Sequence, residues 1–389
     1  MPAKKSPMRM FAAACIVVVG AVVVVGILVY GADNQNETGR DFIQYWAIEQ
    51  QLAHGGNPYD EASIFELQKS AGLDQDQPIF NVGPPVAWFF ALPLGWVSAK
   101  TGLTLWLLAL LLCLAISVWL LWLLHGRPDS RYHVIALAFP PALWCLVAGQ
   151  LGIFFLLEII LFTCFIDKRP WTAGAALFFF AMKPQLFLPF FLVLLLWSLK
   201  RKKFGALMAL VAAVGASCAL TASLDPQIWQ QYFQMLQTHK IVDIFSPTAG
   251  MALRFAINQH MVWLEFIFEA AACVWAPWYF VRRRDRWDWS ADGGLVLLVA
   301  MAATPYEWFT DQALLFPALL VGLYRAQHSV RALLLFGLIA LGGLVGFVLQ
   351  IPLTSAFYVW TAPAWLAWYL YASRVGGAPE APAEAKMAA

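Results

Sequence analysis

Residues 101–124 read TGLTLWLLALLLCLAISVWLLWLL, a run without a single charge. At about 1.5 Å of rise per residue such a helix is roughly 36 Å long, enough to cross the ~30 Å hydrocarbon core of a bilayer. Its apolar residues fall on every side of a 3.6-residue turn, so no polar stripe is left to face water. A helix of this kind needs either a very large protein core or lipid around it.

Working outward from that run, the rest of the chain has the same character. Of 389 residues, 61% are hydrophobic and 12% charged, against roughly 25% charged in a soluble domain. Further apolar runs lie at about 11–30, 133–148, 151–166, 171–183, 185–199, 204–222, 260–281, 293–304, 312–324, 332–350 and 356–371. The expected fold is all-α: a polytopic helical membrane protein with about twelve spans. Several runs hold only 13–16 residues, short of the ~20 that a span needs, and these are expected as half-helices or pairs dipping partway into the bilayer. The stretch 85–97, with Pro93 and Gly95 inside it, reads as a re-entrant or interfacial element.

Charge supports one orientation. With cytoplasmic termini and twelve crossings, 19 of the 25 Lys and Arg residues fall in cytoplasmic loops, as the positive-inside rule requires. Arg40, Lys69, Lys100, Lys183, Lys240 and Arg254 remain on the other side. The division expected is one membrane domain over 1–375, with a first external loop at 31–84, a second external segment at 223–258 and a disordered cytoplasmic tail at 376–389 rich in Ala, Pro and Glu. Lys4, Lys5 and Arg9 before the run 11–30 read as a retained signal anchor, the run being longer than a secretory leader's apolar stretch. Asn36-Glu-Thr38 matches a glycosylation sequon, a frequent chance match.

Within the first loop, Asp41 to Ala53 has helical spacing and suggests an amphipathic helix on the membrane surface. The His54-Gly-Gly-Asn-Pro-Tyr59 turn then leads to a second short helix from Asp60 to Ser70. In the second segment, Gln227 to His239 is helix-like and Ser246-Pro-Thr-Ala-Gly250 follows.

The six cysteines all lie inside apolar runs, so neither a disulfide framework nor a zinc site is signalled. The basic residues sit in short clusters between apolar runs, which disfavours nucleic acid as a partner. Walker, GxSxG, HExxH and GxGxxG patterns are absent from the sequence.

The unusual polar residues converge on the external side. They are Asp41, Gly149-Gln150, Lys183-Pro184-Gln185, the stretch Ser246 to Arg254, and Thr304-Pro-Tyr-Glu-Trp-Phe-Thr-Asp311. Asp41 fits a general base that takes a proton from an attacking hydroxyl, and equally a helix N-cap. Lys183, beside apolar Leu177 to Met182, fits a phosphate contact or a lysine snorkelling to the interface. Arg254 is a second cation for the same task, or a partner in a rim salt bridge. Gln150 and Gln185 suit sugar hydroxyls or helix ends. Glu307 and Asp311, four apart, would share one helix face; two carboxylates alone signal no metal site.

The order of Gly39-Arg40-Asp41-Phe-Ile-Gln-Tyr45-Trp46, Gly55-Gly-Asn-Pro-Tyr59-Asp60, Gly83-Pro-Pro85, Pro140-Pro141 with Gly149-Gln150, and Met182-Lys183-Pro184-Gln185 resembles the bacterial family 87 membrane glycosyltransferases of the GT-C class. These are similar to polyprenol-phosphate-mannose-dependent mannosyltransferases. The resemblance implies transfer of a sugar, mannose or another hexose or pentose, from a polyprenyl-phosphate donor to a glycan or glycolipid acceptor at the periplasmic face of the bacterial inner membrane. It implies Asp41 as base, Lys183 and Arg254 at the donor phosphate, and Arg40, Tyr45, Gln150, Gln185, Glu307 and Asp311 around the substrates. No cofactor and no obligatory metal are expected, because a lipid-linked phosphate leaves without a nucleotide-type metal clamp. In one respect the chain departs from the family pattern: many relatives carry histidine after the Ser/Thr-Pro and Trp of the late external turn, where this chain reads Thr304-Pro-Tyr-Glu-Trp308-Phe-Thr-Asp311, so the resemblance assigns no second catalytic or acceptor-orienting role there. Two other readings fit the hydropathy, a twelve-span secondary transporter and another lipid-linked envelope transferase.

Overall fold

The computed structural model describes residues 40–86, 88–238 and 245–376, and every regular element among them is helical. The run 11–30, the sequon at 36–38, Lys240 and residues 377–389 lie outside the described residues.

The chain opens with α1 (Arg40–Ala53) and α2 (Glu61–Ser70), then α3 (Trp88–Ala91), which runs into a 3-10 turn over Leu92–Trp96. Next come α4 (Ala99–Leu124), a 3-10 stretch Tyr132–Ala138, α5 (Pro140–Ala148), α6 (Gly152–Phe165) and α7 (Pro170–Ala176). Two 3-10 turns, Phe178–Met182 and Pro184–Phe187, lead to α8 (Leu188–Arg201), α9 (Gly205–Leu224), α10 (Ile228–Thr238) and α11 (Ala249–Ile257). The last part holds α12 (Ile267–Arg283), α13 (Gly294–Ala303), a 3-10 segment Phe309–Leu315, α14 (Phe316–Arg325), α15 (Val330–Val348) and α16 (Thr361–Val375).

Five helices among the described residues are long and apolar enough to cross a bilayer: Ala99–Leu124, Pro184–Arg201, Gly205–Leu224, Val262–Arg283 and Val330–Val348. Their outward faces are apolar. Leu105, Leu108, Leu112 and Trp119 on α4, and Leu334, Leu338, Leu341 and Val345 on α15, stand exposed at helical spacing, while Leu103, Leu107, Leu110, Leu114 and Leu121 of α4 are buried on the opposite side. A helix apolar on both its inner and outer faces is suited to lipid.

Among the described residues five candidate spans stand where eleven of the twelve expected runs fall, the run 11–30 lying outside them, and backbone breaks shorten several of the others. Pro140 and Pro141 start α5 afresh after a 3-10 stretch; the run 171–183 divides into α7 and a 3-10 turn; the run 312–324 begins as a 3-10 segment. Apolar composition marks the run but not the break within it. A ten-residue helix such as α13 reaches only about 15 Å, half of a bilayer core.

These short helices form the interior, and α6 is buried along most of its length. Broken backbone at such depth needs protein groups to satisfy it. Glu158 of α6 does this for the break after α7: its Oε1 accepts the Phe179 N–H at 2.7 Å.

The helix α1 also differs from expectation. Phe42 through Glu49 are all buried, including Gln44 and Glu49, so both faces are covered and it is not a helix resting on a surface. The segment 88–97 supplies the cover, and Trp46 Nε1 and Gln50 Nε2 both donate to Val97 O at 3.0 Å. With four residues of α3 and five of 3-10 turn, that segment is about 16 Å long and too short to cross.

Candidate active site

Several short elements end at one point in the fold. The C-terminus of α5 arrives there through Gly149, whose φ of 68° lies in the left-handed region. A Cβ on Gly149 would also sit 2.8 Å from Phe42 Cβ, so glycine is needed twice, for the turn and for the approach of α1. Trp106 of α4 closes the contact by donating Nε1–H to Gly149 O at 2.8 Å.

Gln150, the next residue, is buried. Its Oε1 accepts the Tyr45 hydroxyl at 3.1 Å and the Leu151 N–H at 3.3 Å, so α1 and the α5–α6 turn are tied through one amide. Gly152 then lets the start of α6 touch the late turn, where a Cβ would fall 2.1 Å from Thr310 O.

Asp41 lies in the first turn of α1 and inside the helix, where a carboxylate complements the helix N-terminus. It is half-buried. Burial first, and then the Asp41 and Asp311 carboxylates, hold the Tyr45 hydroxyl well above the ordinary tyrosine range. The Tyr306 hydroxyl is raised by burial and, with the Trp308 contact working against it, by the same Asp311 and Asp41 charges. Asp41, Tyr45, Tyr306 and Asp311 therefore share one electrostatic environment, although 270 residues separate the two aspartates in sequence.

Lys183 follows the 3-10 turn Phe178–Met182 and joins this group through an ion pair. Its Nζ donates to both Oδ1 and Oδ2 of Asp311 at 2.8 Å. The Asp311 side chain is 0% exposed and that of Lys183 13%, so the carboxylate is fully enclosed and the lysine nearly so. Asp311 is fixed in turn by the Trp308 N–H, which donates to Oδ2 at 2.9 Å.

Glu307 does not lie on a helix face with Asp311, contrary to the four-residue spacing. Trp308 between them is extended, with φ −113° and ψ 152°, so the helix starts after Glu307 and the i, i+4 relation is lost. Glu307 is buried and its Oε1 accepts from Gln312 Nε2 at 3.2 Å. Burial, reinforced by the Asp311 charge, pushes its carboxyl well above the usual range. Its Oε2, together with Gln312 Oε1 and Thr310 Oγ1, has no hydrogen-bond partner among the described residues. Ser246 anchors the turn by donating to Glu307 O at 2.6 Å and accepting the Glu307 N–H at 3.0 Å. Thr248 donates to Pro305 O at 3.2 Å.

Gln185 is half-buried beyond Lys183, with no hydrogen bond among the described residues. Arg40 opens α1, and its side chain lies outside the described residues. Arg254 is buried at the end of α11 and forms an ion pair with Glu265, while its Nε donates to Gln259 O. No described contact runs between Arg254 and Lys183. Among the described residues no cluster of three or more His, Cys, Asp or Glu is arranged to hold a metal.

Sequence reasoning missed Gln312 and Thr361, and reached Tyr306 only as part of the stretch Thr304 to Asp311. Gln312 Nε2 also donates to Thr361 Oγ1 at 2.7 Å. Gln312 adjoins a residue already singled out, whereas nothing local marks Thr361.

The family model for glycosyltransferase family 87 matches residues 81–305, more than half of the chain. That span contains Gln150, Lys183 and Arg254, with Asp41 before it and Glu307 and Asp311 just beyond it. No curated protein and no solved structure matches the chain. With a carboxylate, a lysine ion pair and buried amides gathered among broken apolar helices, and more than half of its length matched, the chain belongs to glycosyltransferase family 87 and is a membrane-embedded glycosyltransferase.

Proposed function

We propose that this enzyme moves a sugar from a polyprenyl-phosphate donor to a hydroxyl of a lipid-linked or cell-envelope acceptor, at the periplasmic face of the bacterial inner membrane. The observation that carries the proposal is the grouping of Asp41, Tyr45, Lys183, Tyr306 and Asp311 where the short helices end.

In this reading Asp41 takes the proton of the acceptor hydroxyl while that oxygen attacks the anomeric carbon. The new bond forms between anomeric carbon and acceptor oxygen, and the bond from anomeric carbon to phosphate oxygen breaks. Lys183 steadies the departing phosphate: an ammonium has three donors, so at least one remains beyond the Asp311 contact. Charge stabilisation of a leaving group in a water-poor site is a large catalytic effect. The unpartnered acceptor Gln312 Oε1 suits a sugar hydroxyl donor, because a buried acceptor left unmade is costly, and the unpartnered Glu307 Oε2, protonated in this reading, offers a sugar hydroxyl an O–H donor. Arg40, Tyr45, Gln150 and Gln185 complete the substrate surroundings. Arg254 enters as a second cation on the external segment, its charge shared with Glu265. Residues 1–375 act as one membrane domain with both termini cytoplasmic, as the Lys and Arg distribution favours.

The test is sugar transfer from radiolabelled polyprenyl-phosphate sugars by the purified protein and by Asp41→Asn. We expect a loss of about 10²–10⁴-fold in kcat. A folded Asp41→Asn protein with full transfer would refute the assignment of the base. Against a transporter, cysteine labelling should find the site open to one side only.

A further inference from the structure

We propose that Asp311 sets the charge of the phosphate subsite, so that a dianionic phosphate monoester gains far less over a monoanionic phosphodiester than it would at an unpaired lysine. The inference rests on the assignment of the donor phosphate to Lys183 made above.

The geometry is that of a cation with a fixed counter-charge behind it. Both Asp311 oxygens lie 2.8 Å from Lys183 Nζ. The carboxylate is fully enclosed while the lysine retains some exposure. Asp311 cannot swing away without giving up the Trp308 N–H. A phosphate at Lys183 therefore meets an ammonium whose charge is already balanced, and feels the carboxylate 2.8 Å from that ammonium. The other carboxylate acting on the same tyrosines is Asp41, which adds negative charge to the surroundings.

Transfer changes the charge on the lipid. In the donor the phosphate is esterified at both ends and carries one negative charge. When the bond to the anomeric carbon breaks, the electron pair stays on the phosphate oxygen and the proton of the acceptor goes to the base. The lipid then keeps a monoester, mostly dianionic above pH 7 because its second pKa is about 6. A fixed carboxylate repels the second state about twice as strongly as the first, since Coulomb energy scales with the product of charges. The attraction to Lys183 doubles in the same way, so by cancelling most of it the carboxylate removes most of the product's advantage over the donor, which lets the site turn over. A lone lysine would bind product best and be inhibited by it.

The experiment measures binding of two probes to the full-length protein at pH 8: a long-chain polyprenyl phosphate, and its methyl ester, a monoanionic phosphodiester. In Asp311→Asn we expect the diester to bind about tenfold tighter and the monoester about a hundredfold tighter. Asp311→Glu, which keeps the charge, should leave the ratio of the two affinities within threefold of wild type. If Lys183→Gln alters neither affinity, the phosphate is not at Lys183 and the parent assignment fails. If Lys183→Gln weakens both but Asp311→Asn leaves their ratio unchanged, only the charge-setting role fails. Should Asp311→Asn not fold, Lys183→Gln is compared with Lys183→Gln/Asp311→Asn. The double variant should raise the monoester-to-diester affinity ratio at least tenfold over the single, and an equal ratio would overturn the proposal.

Discussion

Replacing Lys183 with Met strands a buried carboxylate, and the size of the penalty can be worked out. Met is close to Lys in volume, so the cavity term is small. What is lost is the counter-charge of Asp311, whose side chain is 0% exposed. Removing one partner of a buried pair costs about 3–5 kcal/mol. We expect Lys183→Met to be destabilised by about 4 kcal/mol at pH 7. Asp311→Asn added to it should return most of that loss, because the stranded charge is then gone. Equilibrium unfolding in detergent, on wild type, both single variants and the double, provides the measurement. A loss below about 1 kcal/mol at pH 7, or a double variant no more stable than Lys183→Met, would refute the reasoning.

Three further outcomes follow. Glu158→Leu removes the acceptor of the Phe179 N–H and loosens the 3-10 turn that ends at Lys183; we expect about 1–3 kcal/mol of destabilisation and at least tenfold lower kcat, with Glu158→Gln restoring most of both. Glu307, its carboxyl pushed up by burial and by the Asp311 charge, keeps its proton in the folded state to higher pH than the unfolded chain does. Wild type should therefore lose stability as pH rises above about 4.5, by at most about 1.4 kcal/mol per pH unit, and Glu307→Gln should flatten that slope in a pH series of unfolding curves. Gly149→Ala combines a left-handed residue with a Cβ 2.8 Å from Phe42 Cβ; a loss of about 1–3 kcal/mol and weaker transfer are expected, read by thermal unfolding and by activity.

The apolar runs made the all-helical membrane architecture legible, because composition and helical period need no tertiary knowledge. The helix at 40–53, the turn at 54–59 and the helix after Asp60 followed from local rules. Asp60 caps α2 by accepting the Ser63 N–H at 3.1 Å. Span number was not legible in the same way. Whether Phe178–Met182 continues α7 or winds as a 3-10 turn depends on Glu158, some twenty residues earlier, accepting a freed amide. The one-face relation of Glu307 and Asp311 failed for a similar reason: Ser246, 61 residues away, grips the Glu307 backbone ahead of an extended Trp308. The ion pair of Lys183 spans 128 residues, and a single sequence carries no trace of such a pairing. Polar residues at turns in a chain this apolar were nevertheless informative. Desolvation makes each of them expensive, and that expense singled out Lys183, Gln150 and Asp311 before their partners were known.

The Gln312 side chain bonds to Thr361, the first residue of α16. The turn that holds Asp311 therefore takes one of its contacts from an element 49 residues further along the chain. Until residue 361 has been made, Gln312 has Glu307 as a partner but not Thr361. We expect a chain ending before residue 361, which lacks that contact, to lose sugar transfer in the radiolabelled assay.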